Sequence, residues 1–267
     1  MKKMNILKII STALFVASCA QPVSKMNETP VNPEAPNSSE SIPDAAEVTK
    51  ATIDYKLRYK FLDPYNKVVD NRGNGYENLY GTRNFRAVLH GVYYRGGANN
   101  SYNREGIRSN SNPLPTTGLE NLCKEGFSTA IYFYTTNYET APKVVNCRDR
   151  QDSNTTLNYK QISSLSATTS TNEAILSLVY DRIKGKLPGP IYGHCWNGWH
   201  ASGYAASILL KQFCGYTDSE AEAYWRKNTD GNDGASYAGV VTKVRAFKPV
   251  AKFNISAAES AAICPTK

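Results

Sequence analysis

The stretch His194-Cys195-Trp196-Asn197-Gly198-Trp199-His200-Ala201-Ser202-Gly203 gathers a thiol, two imidazoles, a hydroxyl and two glycines into one short segment. It follows Pro190-Ile191-Tyr192-Gly193, which reads as a short strand, and it precedes a helix carrying Ala205, Ala206, Ile208, Leu209, Leu210 and Phe213. That helix is apolar on most sides, so it belongs inside a domain. A strand, a glycine-containing loop that opens on cysteine, and a buried helix make a physical cradle for phosphate-type anions. The loop N–H groups point inward and the helix N-terminus adds positive potential. The same field favours the thiolate, the nucleophilic form of cysteine. Plainer roles stand beside these. Cys195 also suits a small buried apolar residue, and His200 an ordinary loop hydrogen bond. Trp196 and Trp199 flank the mouth and either pack or stack on a ligand. Arg95 either binds an anion or pairs with a carboxylate. No His/Cys/Asp cluster has metal-ligand spacing, so neither a metal nor another cofactor is expected.

The elements that must position this loop alternate between strand and helix. Asn84–Val88 leads to Gly91-Val92-Tyr93-Tyr94-Arg95-Gly96-Gly97, an aromatic strand ended by glycines. Thr117–Leu122 has helical apolar spacing, and Thr129–Tyr134 is β-prone and apolar enough to be buried. Leu157 to Leu165 reads as extended. Ser170 with Glu173 has capping-box spacing ahead of Ile175, Leu176, Val179 and Ile183, and Gly185 suits the helix end. Thr217 with Glu220 repeats that spacing before a helix through Trp225. The expected fold is α/β, a mainly parallel central sheet flanked by helices on both faces.

His194-Cys195-x-x-Gly198-x-x-x-Ser202-Gly203 resembles the signature of the tyrosine and dual-specificity phosphatases, in which a His-Cys pair is followed by a loop, an arginine, and a serine or threonine. Asn84-Phe85-Arg86 and Gly91–Gly97 are similar to the entry strand of the compact bacterial and inositol-phosphate-directed branches of that family, and the resemblance covers about residues 84–230. It implies a dual-specificity phosphatase-like fold. It assigns Cys195 as nucleophile, Ser202 as the hydroxyl that helps the thiolate leave, His194 as a loop-orienting residue and Gly198 as a point of close backbone approach. Trp196, Asn197, Gly198, Trp199, His200 and Ala201 become the phosphate-binding loop. Two departures accompany it. Ala201 occupies the arginine position, and His200 beside it is no substitute, because neighbouring loop residues point in different directions. The region where the family carries a general-acid aspartate reads Ile162–Thr169 and holds no carboxylate. Asp149 and Asp152 lie upstream, Glu173 and Asp181 downstream in the expected helix. Arg95, Arg104, Arg108, Arg148 and Arg150 lie on segments from which a guanidinium could enter the mouth. The resemblance therefore implies a degenerate phosphatase that binds phosphate-type anions and turns over phosphomonoesters weakly, or a pseudophosphatase that only binds. Its partners would be a phosphorylated small molecule or a phosphoprotein.

The chain has 267 residues and a formal net charge of +8. Lys2, Lys3 and Lys8 precede an apolar run from Ile9 to Ala17, too short for a transmembrane helix, and Val16-Ala17-Ser18-Cys19 resembles a bacterial lipobox. Residues 1–18 are therefore expected to be a signal peptide, with Cys19 the lipid attachment. Residues 19–51, rich in Pro, Asn, Ser and Glu, would be a flexible tether, and 52–267 one domain. A lipid-anchored envelope protein, periplasmic or surface-exposed, follows. The charge outside the leader is modestly basic and suits an anionic ligand. No basic helix or aromatic nucleic-acid motif occurs, so nucleic acid is not an expected partner. Six cysteines are present. With Cys19 acylated, an oxidising compartment favours disulfides among Cys123, Cys147, Cys214 and Cys264, leaving Cys195 free. The favoured pairing is Cys123 with Cys147 and Cys214 with Cys264, although sequence by itself does not fix connectivity.

Overall fold

A computed structural model of the chain describes residues 54–59, 63–102, 104 and 113–266. The leader, Cys19, the whole of the tether and Arg108 lie outside the described residues. In chain order the main elements are β1 (Thr82–Leu89), β2 (Tyr93–Ala98), α1 (Thr116–Lys124), β3 (Thr129–Tyr132), β4 (Val144–Arg148), β5 (Asn154–Gln161) and α2 (Thr169–Ile183). They are followed by β6 (Ile191–Cys195), α3 (Ala201–Cys214), α4 (Asp218–Lys227), α5 (Ala238–Ala246) and α6 (Ala257–Ile263). The strands form one sheet in the order β1-β2-β6-β3-β5-β4. Its centre is parallel, with β6 between β2 and β3 and β5 beside β3, while β1 and β4 pair antiparallel at the edges. The expected architecture is the one observed.

Period-two alternation divides the sheet between two cores. Tyr93, Ile131, Phe133, Ile191 and Cys195 pack with apolar residues of α2 to α6. Their neighbours Tyr94, Ala130, Tyr132 and Tyr192 face the other side, against Leu119, Leu122 and Cys123 of α1 and Tyr55 and Tyr59. β6 is buried on both faces, as a central parallel strand must be. Its C-terminal end delivers Cys195 to the edge of the sheet where β2 and β3 also end.

The Thr217–Glu220 capping box forms with both of its hydrogen bonds. The other expected box does not. α2 starts two residues earlier than the Ser170 spacing implies. Thr168, held extended, accepts the Thr171 N–H at 3.2 Å, and Glu173 instead pairs with Lys252 at 2.6 Å. The extended stretch expected to reach Leu165 ends at Gln161. Beyond it, Ser166 Oγ bonds to Ser163 O at 2.8 Å and the chain turns into a short 3-10 segment at Ser164–Ser166. Both disulfides join the cysteines as paired above, Cys123–Cys147 and Cys214–Cys264, with Cα separations of 6.2 and 5.6 Å. Cys195 is a free, buried thiol.

Candidate active-site loop

Between β6 and α3, successive backbone carbonyls are each tied to a donor outside the loop. Cys195 O accepts from the His194 ring Nδ1 at 3.1 Å, Trp196 O from the Ala98 N–H at 2.9 Å, and Asn197 O from Asn84 Nδ2 at 2.7 Å. Arg95 Nη2 donates to Gly198 O and, at 3.0 Å, to Trp199 O. A trans peptide unit points its N–H opposite its C=O. Fixing carbonyls 195–199 outward therefore turns the N–H groups of Trp196, Asn197, Gly198, Trp199 and His200 the other way. None of those N–H groups donates to a protein acceptor among the described residues. α3 begins directly after them, with no side-chain cap on its N-terminus.

Two glycines allow the loop to sit this close to the sheet. A Cβ on Gly97 would lie 2.5 Å from Trp196 O and from Asn197 C, and Gly198 has φ +80 with Gly96 C only 2.6 Å from its absent Cβ. Gly203, in the first turn of α3, leaves room for Trp225 and for the Arg95 guanidinium.

Cys195 is 3% exposed, and its Sγ lies 3.5 Å from Ser202 Oγ. His194 is stacked among Tyr132, Tyr159 and Tyr192. A carbonyl can only accept, so its Nδ1 carries the hydrogen toward Cys195 O. Its Nε2 then accepts from the Tyr159 hydroxyl at 2.8 Å, which in turn accepts the Leu114 N–H at 3.1 Å. Burial pushes the His194 pKa down to about 3, leaving a neutral ring that fixes loop geometry. His200 turns away from the thiol. It stacks on Tyr237 with centroids 3.5 Å apart and donates Nε2–H to Asn232 O at 2.6 Å; burial lowers its pKa. Trp196 stacks on Tyr134 and bonds to the Tyr132 hydroxyl at 2.9 Å, while Trp199 Nε1 bonds to Asp230 at 3.0 Å. Both indoles are packed by neighbours. Burial, together with the nearby Cys195, raises the Tyr134 phenol, which stays protonated.

Arg95 pairs with no carboxylate among the described residues and is wholly buried behind the loop. The other arginines considered for the mouth are engaged elsewhere. Arg104 pairs with Glu77, Arg148 with Asp152 at 2.9 Å, and Arg150 with Glu125 at 3.0 Å. No general acid emerges either. Asp149 caps the β4–β5 turn and Asp152 lies in it, at the end of the sheet away from the thiol. Asp181 pairs with Lys186. In place of an acid loop, Ser164 Oγ donates to Ala201 O at 3.1 Å, and Lys243 Nζ donates to Leu165 O at 2.5 Å, pinning 164–166 to α3 and α5. Asp230, missed by the sequence reading, is the carboxylate tied to this loop. Burial works to raise its pKa, but bonds from Lys67 and Trp199 and the Arg86 charge outweigh it and hold the group ionised. The Asp-Gly turn that carries it was its only sequence signal.

No protein-family model matches the chain, and no curated protein matches it. Among solved structures, the chain is similar to a crystal structure of P. aeruginosa TpbA, at 15% identity and a TM-score of 0.37, over 62% of this chain and 85% of that one.

Proposed function

We propose that this domain is a degenerate member of the cysteine-dependent phosphatases. On this reading it binds phosphate-type oxyanions in the 195–202 loop and hydrolyses phosphomonoesters weakly through Cys195. The observation that carries the reading is the run of carbonyls 195–199 tied outward, which leaves consecutive N–H groups free for an oxyanion beside a thiol and a hydroxyl. The Cys195 thiolate would attack phosphorus, and the bond to the leaving oxygen would break. That oxygen would take its proton from water, because no carboxylate stands by. Water would then hydrolyse the phosphocysteine, with the Ser202 hydroxyl stabilising the departing thiolate.

The two losses set the scale. Removing one oxyanion donor of the transition state costs about 100- to 1000-fold, and removing a general acid roughly another 100- to 10,000-fold. A second reading, a pseudophosphatase that binds without turnover, is favoured by one observation: the segment in the acid position has no carboxylate and is pinned to α3 and α5. In either case the leader would direct export and a lipid on Cys19 would anchor the domain to the cell envelope.

The test is phosphate release from aryl phosphates, phosphopeptides and inositol phosphates, with the domain beside its Cys195→Ser variant. Slow turnover that vanishes in the variant is expected. Equal background from both would leave the binding reading.

A further inference from the structure

The geometry points to Arg95 as the residue that both positions the loop and supplies the cationic charge that Ala201 does not, acting from behind the backbone rather than from within the cradle. This inference rests on the oxyanion reading above. Arg95 is 0% exposed, and in the β1–β2 ladder it stands directly opposite a second buried arginine, Arg86. Arg86 has a counter-ion, Asp230, at 3.4 Å. Arg95 has none among the described residues, and its Nε and Nη1 donate to no protein acceptor. A buried cation without a partner is costly. Here its hydrogen bonds all lead to the loop: Gly198 O, Trp199 O at 3.0 Å, and Ser202 Oγ at 3.5 Å, which is itself 3.5 Å from the Cys195 sulfur, while the Tyr224 ring lies 5.8 Å from the guanidinium. Donation to those carbonyls holds the N–H groups of Trp199 and His200 toward the cradle. The uncompensated charge then attracts whatever anion occupies it, an inorganic or esterified phosphate-type oxyanion.

Arg95 does not touch the oxyanion, so it is a positioning residue, and its test must separate charge from packing. Tungstate binding is measured by calorimetry for the wild-type domain, Arg95→Lys and Arg95→Met, with folding checked by circular dichroism. The wild type is expected to bind. Arg95→Met, which keeps the volume, should weaken binding about 10- to 100-fold, the worth of a hydrogen bond to a charged group. Arg95→Lys should recover most of the loss. If Arg95→Met does not fold, Arg95→Gln, neutral but still a donor, takes its place and should bind more weakly than the lysine variant. Wild-type binding with an unchanged neutral variant would overturn the role of Arg95 and leave the oxyanion reading standing. A lysine variant as weak as the neutral one would also overturn it, since packing would then explain the loss. A wild type that binds no tungstate would overturn both.

Discussion

At the scale of single residues, the site depends on atoms that are absent as much as on those present. Gly97 has no side chain, and the loop carbonyl of Trp196 and the backbone of Asn197 occupy the space a Cβ would need. Gly97→Ala should therefore push the loop off β2 and break the Ala98–Trp196 bond, at a cost of about 1–3 kcal/mol for overpacking. Urea unfolding reads that cost, and the same variant should lose oxyanion binding. Unchanged stability would mean that loop and strand are not held together as described. The family resemblance singled out Cys195, Ser202, Gly198 and His194, and the structure places Ser202 Oγ 3.5 Å from the Cys195 sulfur. Arg95 was only half legible. Its residue type marked it as an anion contact or an ion-pair partner, but it bonds to carbonyls of residues about a hundred positions away, which spacing does not reveal.

At the scale of elements, the buried ones were readable and the exposed ones were not. β6 and α3 carry continuous apolar signals because they are enclosed. β4, an edge strand, buries Val145 alone among its residues, so its alternation is faint. α6 spans only Ala257–Ile263, and its Ser256–Glu259 capping box was the one clear mark of it. α5 is held from outside its own sequence: the buried Lys211 of α3 donates to Val244 O at 2.8 Å and Phe247 O at 2.5 Å at its C-terminus. A cation there complements the helix dipole and satisfies carbonyls left without partners. The misplaced start of α2 has the same lesson. Thr168, Ser170 and Thr171 all have capping side chains, so the spacing by itself does not single out Thr168 as the cap.

At the scale of the whole molecule, its three histidines make stability depend on pH in one direction. Burial lowers the pKa of His90 to about 4 and of His194 to about 3, and lowers that of His200 as well. The unfolded chain titrates near the usual 6.5. Above that value both states are neutral and the full stability is present. As pH falls below it, the unfolded state takes up protons that the folded state refuses, so stability is lost progressively down toward the folded values. His90 and His194 should each withdraw roughly 2 kcal/mol by about pH 5. Carboxylates contribute little to that window, since they protonate lower. Urea unfolding at about pH 7.5 and 5 should show the drop, and His194→Gln should make it smaller; a flat profile would contradict burial of neutral rings.

On the proposed reading, the backbone of residues 196–200 forms an oxyanion cradle beside Cys195. The most direct test is an amide NMR titration of the domain with tungstate. The account predicts saturable downfield shifts concentrated on the N–H signals of Trp196, Asn197, Gly198, Trp199 and His200. Absence of any shift there, or shifts confined to the lysines of the surface, would contradict it.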